Sequence, residues 1–129
     1  MRTVEPILMN TEQKKALLLL KLVIFNYHGL DEEEKKILAN TATKLEAVEE
    51  LKWAYDFSEQ DDITSFERAR EFFKNTIANY DKDSRFEFVR IVWEDTSSKG
   101  YVSEIEAMSM LKLAKDWGVQ KDLLALVRK

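Results

Sequence analysis

Apolar residues recur at helical spacing along most of the chain, and the first dense stretch is apolar on nearly every side. Ala16-Leu17-Leu18-Leu19-Leu20 continues after Lys21 as Leu22-Val23-Ile24-Phe25. A helix with apolar side chains all round belongs at the centre of a bundle. The pattern predicts such a helix from about Glu12 to Tyr27, ended by Gly29 in a left-handed conformation. Pro6 suits the first turn of a short helix before it. The apolar run is too short and too interrupted for a membrane span.

The next helices announce themselves through their caps. Asp31 followed by Glu34 has the spacing of a capping box, in which each side chain satisfies a backbone amide at the helix start. Ile37, Leu38, Thr41, Ala42 and Leu45 form the buried stripe of that helix. A break is predicted near Glu46, and Leu45, Val48, Leu51, Trp53, Ala54 and Tyr55 carry the pattern on to about Phe57. Ser58 to Asp62 reads as a polar loop. Thr64 with Glu67 repeats the cap signal ahead of Phe66, Ala69, Phe72, Phe73, Ile77 and Tyr80. After the turn Asp81-Lys82-Asp83-Ser84, the residues Phe86, Val89, Ile91, Val92 and Trp93 predict a helix ending near Asp95. Their branched and aromatic content also suits a strand, but a lone strand would have no partner. Ser103 with Glu106 opens another helix with Ala107, Met110, Leu111, Ala114 and Trp117 inward, stopped by Gly118. A last short helix starts near Gln120, with Leu123, Leu124, Leu126 and Val127 available for docking.

Two of these stretches match when offset by 72 residues. Asp31 pairs with Ser103, Glu34 with Glu106, Leu38 with Met110 and Ala42 with Ala114. The register continues through Leu45 with Trp117, Ala47 with Val119, Glu50 with Asp122 and Leu51 with Leu123. The expected architecture is therefore all-α: a compact bundle of about six or seven helices with an internal pseudo-repeat of helical hairpins. With 129 residues, residues 1–129 are expected to form a single domain that buries roughly two-thirds of its unfolded surface.

Composition narrows the chemistry. The absence of cysteine removes disulfides, thiol nucleophiles and cysteine-bound zinc. Met1 to Asn10 lacks the layout of a secretory leader, and a cytoplasmic location is expected. Twenty basic and 24 acidic residues give a net charge of -4. The basic doublets Lys14-Lys15, Lys35-Lys36 and Arg128-Lys129 are dispersed, so no nucleic-acid stripe is indicated.

One segment has the outline of a twelve-residue calcium loop. Asp95 takes its first position, Ser97 the third, Gly100 the sixth, Tyr101 the seventh through its carbonyl, Ser103 the ninth and Glu106 the twelfth. Lys99 puts a positive charge at the fifth, where an oxygen should sit, so any calcium or other divalent ion would bind weakly. The competing reading is a turn with Ser103 and Glu106 as a helix cap. His28, the sole histidine, has no ligand-like neighbours. With Asp95 and Glu106 it defines the acidic cleft that a small enzyme would need, but no nucleophile is placed beside it. Trp53, Tyr55, Trp93, Tyr101 and Trp117 would be binding hot spots wherever a pair is exposed.

Residues 12 to 129 resemble the TerB-like family, helical domains named after a tellurite-resistance protein. The resemblance rests on Gly100, Val102, Ser103 and Glu106 ahead of Met110, Ala114 and Trp117-Gly118-Val119, and on Gly29, Leu30, Asp31 and Glu34 in the first stretch. The family's usual Asp-Gly pair is replaced by His28-Gly29 and Lys99-Gly100. The resemblance implies an accessory role in stress response, exercised through a protein partner, and no cofactor is expected beyond a weakly held calcium or other divalent ion. A homodimer is the alternative assembly, and a weak metal sensor or an acidic-cleft enzyme are the alternative activities.

Overall fold

A computed structural model describes residues 10–25, 31–61, 64–97 and 102–128, with the backbone alone at 78. Among the described residues the chain forms seven α-helices: α1 (Thr11–Phe25), α2 (Glu32–Leu45), α3 (Val48–Glu59), α4 (Ser65–Thr76), α5 (Lys82–Ser97), α6 (Glu104–Asp116) and α7 (Gln120–Val127). A 3₁₀ turn, Ile77–Asn79, follows α4. The expectations for Pro6, His28, Gly29, Lys99, Gly100 and Tyr101 lie outside the described residues.

The all-round apolar helix is central. Every residue of α1 from Ala16 to Phe25 is buried, Lys21 included. It contacts α2, α3, α4, α5 and α6. Its start is fixed by a capping box that the apolar pattern did not signal. Asn10 Oδ1 accepts from the Gln13 amide at 2.8 Å, and Gln13 Oε1 accepts from the Asn10 amide at 2.9 Å. The core drawn together around α1 includes buried side chains from every helix, among them Leu38, Ala54, Phe73, Phe88, Met110 and Leu123.

The internal repeat is present in the backbone. The first repeat is α1–α2–α3 and the second is α5–α6–α7, with α4 between them. Within each, the leading helix contacts both followers and the two followers contact each other. Both middle helices open on complete capping boxes, Asp31 with Glu34 and Ser103 with Glu106. Both end on the same pair of hydrogen bonds. In the first, the Glu46 amide donates to Thr43 O (3.2 Å) and the Ala47 amide to Ala42 O (2.8 Å). In the second, Gly118 donates to Lys115 O (3.2 Å) and Val119 to Ala114 O (2.8 Å). This is the Schellman arrangement, which needs one residue in the left-handed region. Glu46 (φ 54°) and Gly118 (φ 73°) supply it, at equivalent positions of the 72-residue offset. Ala47 and Val119 are both fully buried behind these turns.

α4 ties the repeats together. An aromatic row runs from Trp53 and Phe57 on α3, through Phe72 and Phe73 on α4, to Trp117 after α6, with successive ring centroids 5.2–6.2 Å apart. Arg70 of α4 holds the Asp116 carboxylate with both arms of its guanidinium, at 2.9 and 3.0 Å. Bidentate pairs of this kind are the stronger charged contacts. The bond to Asp116 also raises the Arg70 pKa.

Three details differ from the sequence expectations. Ser58, expected to open a polar loop, is buried in α3, which runs on through Glu59. Thr64 precedes α4, but its side chain makes no cap hydrogen bond. Its hydroxyl instead accepts from Arg68 Nε at 3.0 Å, while Glu67 pairs with Arg70. The segment Phe86 to Trp93 lies within α5, which continues two residues past Asp95 to Ser97. Asp81 starts that helix by accepting from the Ser84 amide at 2.8 Å, and this bond lowers the Asp81 pKa.

Candidate functional site

The residues of the calcium-like outline are placed by two helix ends. Asp95 and Ser97 lie in the last turn of α5, and Ser103 and Glu106 at the start of α6. Ser103 and Glu106 are brought together as a cap. Glu106 Oε1 accepts from the Ser103 amide and hydroxyl, both at 3.0 Å, and Ser103 Oγ accepts from the Glu106 amide at 3.2 Å. Asp95 points to another partner, forming an ion pair with Lys21 of α1. Tyr101, like His28, is outside the described residues. Among the described residues, no group of three or more acidic or histidine side chains is placed to hold a metal ion.

Lys21 was not legible as a partner, because it lies 74 residues from Asp95 in sequence. Its side chain is 5% exposed, against 30% for Asp95. The ammonium also donates to Thr41 Oγ1 at 2.7 Å. Burial lowers the Lys21 pKa, and Asp95 acts in the opposite direction. The arrangement joins α1, α2 and α5 at their crossing.

Among the described residues, the aromatic side chains singled out from the sequence do not form an exposed pair. Trp117 is buried and Trp53, Tyr55 and Trp93 are half-buried. The outward apolar surface lies elsewhere. The exposed large hydrophobic side chains among the described residues are Val48, Ile105, Met108 and Val127. Three of these four are on α6 and α7. Ile105, Met108 and Leu111 follow one another at three-residue spacing, which aligns them along one helix face. Met108 is 54% exposed. Met108 and Leu111 line a shallow cavity of about 210 Å³ together with Lys112, Lys115 and Gln120.

The repeat provides an internal control for this face. Ile105, Met108 and Leu111 correspond to Glu33, Lys36 and Ala39 on α2, all exposed. Lys112 and Lys115 correspond to Asn40 and Thr43. The same backbone, with the same caps and the same ending, thus carries an ordinary polar surface in one repeat and an apolar stripe with two lysines in the other. Leu111 is half-buried against the core, but the exposed Glu33 and Lys36 show that the bundle does not require apolar residues at the positions of Ile105 and Met108. The sequence contained this signal, in the positions where the 72-residue alignment fails to match.

Several exposed lysines have a glutamate three residues before them, Lys35 with Glu32, Lys52 with Glu49 and Lys74 with Glu71, whereas Lys44 and Lys121 do not. Lys112 and Lys115 follow Ser109 and Lys112 at that spacing. Neither has an ion pair among the described residues. Two like charges three residues apart on a helix oppose each other.

Comparisons with protein-family models, with curated proteins and with solved structures find no match. No helix among the described residues is long and apolar enough to cross a membrane.

Proposed function

We propose that the chain is a TerB-like helical domain that works by binding another protein, as an accessory component rather than a catalyst, through the outer face of α6 and α7. The observation that carries this reading is the contrast between Ile105, Met108 and Leu111 in the second repeat and Glu33, Lys36 and Ala39 in the first. Exposed apolar side chains that the fold does not need are retained for contact with something else. The ordered caps and the shared Schellman endings support a preformed, rigid platform, which lowers the ordering cost of association. The resemblance to the TerB-like family supports an accessory role in stress response.

Site-specific photocrosslinking in cells tests the reading. A benzophenone side chain at position 108 is expected to trap a discrete protein partner, and the same group at the equivalent position 36 is expected to trap none. Capture of that partner should be lost in Met108→Asp. Equal crosslinking from positions 108 and 36, or none from either, would overturn the proposal.

A further inference from the structure

The same face also specifies the chemistry of what docks there. We infer that it receives an amphipathic helix from a partner protein, with aliphatic anchors along one edge and aspartate or glutamate beside them. This inference rests on the reading of the α6–α7 face as the binding surface.

The cavity at Met108, Leu111 and Gln120 is about 210 Å³. Small-molecule sites are larger, roughly 300–1,000 Å³. The space suits an aliphatic side chain projecting from a helix, and a stripe at three-residue spacing is the surface that anchors at i, i+3, i+4 and i+7 recognise. The cavity walls carry Lys112 and Lys115, whose charges have no partner among the described residues. In a chain of net charge -4, these lysines put positive charge beside an apolar groove. Carboxylates on the incoming helix complete them, which fixes both partner choice and orientation.

Charge also argues against two other occupants. A second molecule of this chain on a two-fold axis would present the same patch to itself, setting one groove that carries two lysines against another of the same charge. Anionic membranes are held by clusters of about four to eight basic residues, and the groove carries two.

The test uses the full chain against a displayed library of helical peptides, with leucines fixed at the four anchor positions and the flanking positions randomised. Selected peptides are expected to carry Asp or Glu at the flanks. A labelled acidic peptide from the selection is then titrated by fluorescence polarisation. Met108→Asp should weaken its binding more than about tenfold, as for a central anchor. Lys112→Glu with Lys115→Glu should weaken it about three- to tenfold, the size of two exposed ion pairs, and should favour the peptide with its acids changed to lysine. Val48→Asp, at an exposed apolar position of the first repeat, should leave binding unchanged. Circular dichroism melts confirm that each variant is folded.

Neutral or basic flanks in the selected peptides would overturn the acidic partner. If such peptides still lost binding in Met108→Asp, the face itself would stand as the binding surface. Binding that survives Met108→Asp overturns the inference, as does a library that yields no binder. Co-sedimentation with phosphatidylserine vesicles that is lost in Met108→Asp overturns it in favour of a lipid surface. A concentration-dependent dimer lost in the same variant overturns it in favour of self-association.

Discussion

The two repeats share a skeleton and differ in what they show to the outside. Their middle helices start on the same kind of cap and end on the same two backbone hydrogen bonds, one at Glu46 and Ala47, the other at Gly118 and Val119. Inward positions keep their character: Leu38 and Met110, Ala42 and Ala114, Leu45 and Trp117 are all buried. Outward positions do not. The difference separates what the bundle imposes from what it leaves free. Backbone amides and the core stripe must be satisfied in any sequence of this fold. The outer stripe has no such duty, and we attribute the contrast between Glu33 and Lys36 in one repeat and Ile105 and Met108 in the other to a docking partner.

The largest expected effect concerns the crossing of the two leading helices. Lys21 and Asp95 stand where the repeat places Trp93 and Val23 as their counterparts, so a charged pair occupies positions that are apolar in the other repeat. Asp95→Ala would leave the Lys21 ammonium buried with Thr41 Oγ1 as its remaining described partner, and is expected to cost about 3 kcal/mol in urea denaturation. Lys21→Met with Asp95→Val makes the crossing apolar and should hold or raise stability, because a buried pair rarely outperforms packed hydrophobic side chains. A loss under about 1 kcal/mol for Asp95→Ala would show that the charge is dispensable.

A smaller effect tests the two left-handed turns against each other. Glu46 takes at φ 54° a conformation that Gly118 takes at 73°. Left-handed backbone costs an L-residue roughly 1–2 kcal/mol. Glu46→Gly is therefore expected to stabilise by about 0.5–1 kcal/mol, after the added freedom of the unfolded chain is deducted. Gly118→Ala should destabilise by about 1 kcal/mol. Space is not the reason, since the added methyl group would meet only Arg85 Nη1, at 3.9 Å. Thermal melts that moved both variants the same way would mean that the two turns are not equivalent.

The smallest expected effect is that of calcium. With Asp95 on Lys21 and Glu106 in its cap, millimolar calcium is expected to leave the melting temperature unchanged. A bound ion at a hundred times its dissociation constant would add about 2.7 kcal/mol. A rise of that size would make the second inter-helix turn a metal site that the first repeat lacks.

What the sequence made legible was local. Asp31 with Glu34 and Ser103 with Glu106 were readable because a capping box closes within four residues, and the break near Glu46 because the apolar stripe changes phase there. The all-round apolar stretch from Ala16 to Phe25 gave away the central helix. Thr64 with Glu67 misled because a hydroxyl at the right spacing can be claimed by another donor, here Arg68. The contacts of Lys21 with Asp95 and of Arg70 with Asp116 were hidden because they depend on how distant helices cross. Ile105 and Met108 were not legible as an exposed stripe because apolar residues at helical spacing look alike whether they face the core or solvent.

The position of α1 at the centre has a consequence for how the chain is made. Synthesis delivers α1 before any other described helix, yet α5 and α6, which help to cover it, are completed only after residues 97 and 116. At roughly 5–20 residues per second, this most apolar of the helices waits several seconds for its last neighbours. A nascent chain halted after α4 would display an incompletely sheathed α1, the kind of surface that holdase chaperones retain until translation resumes.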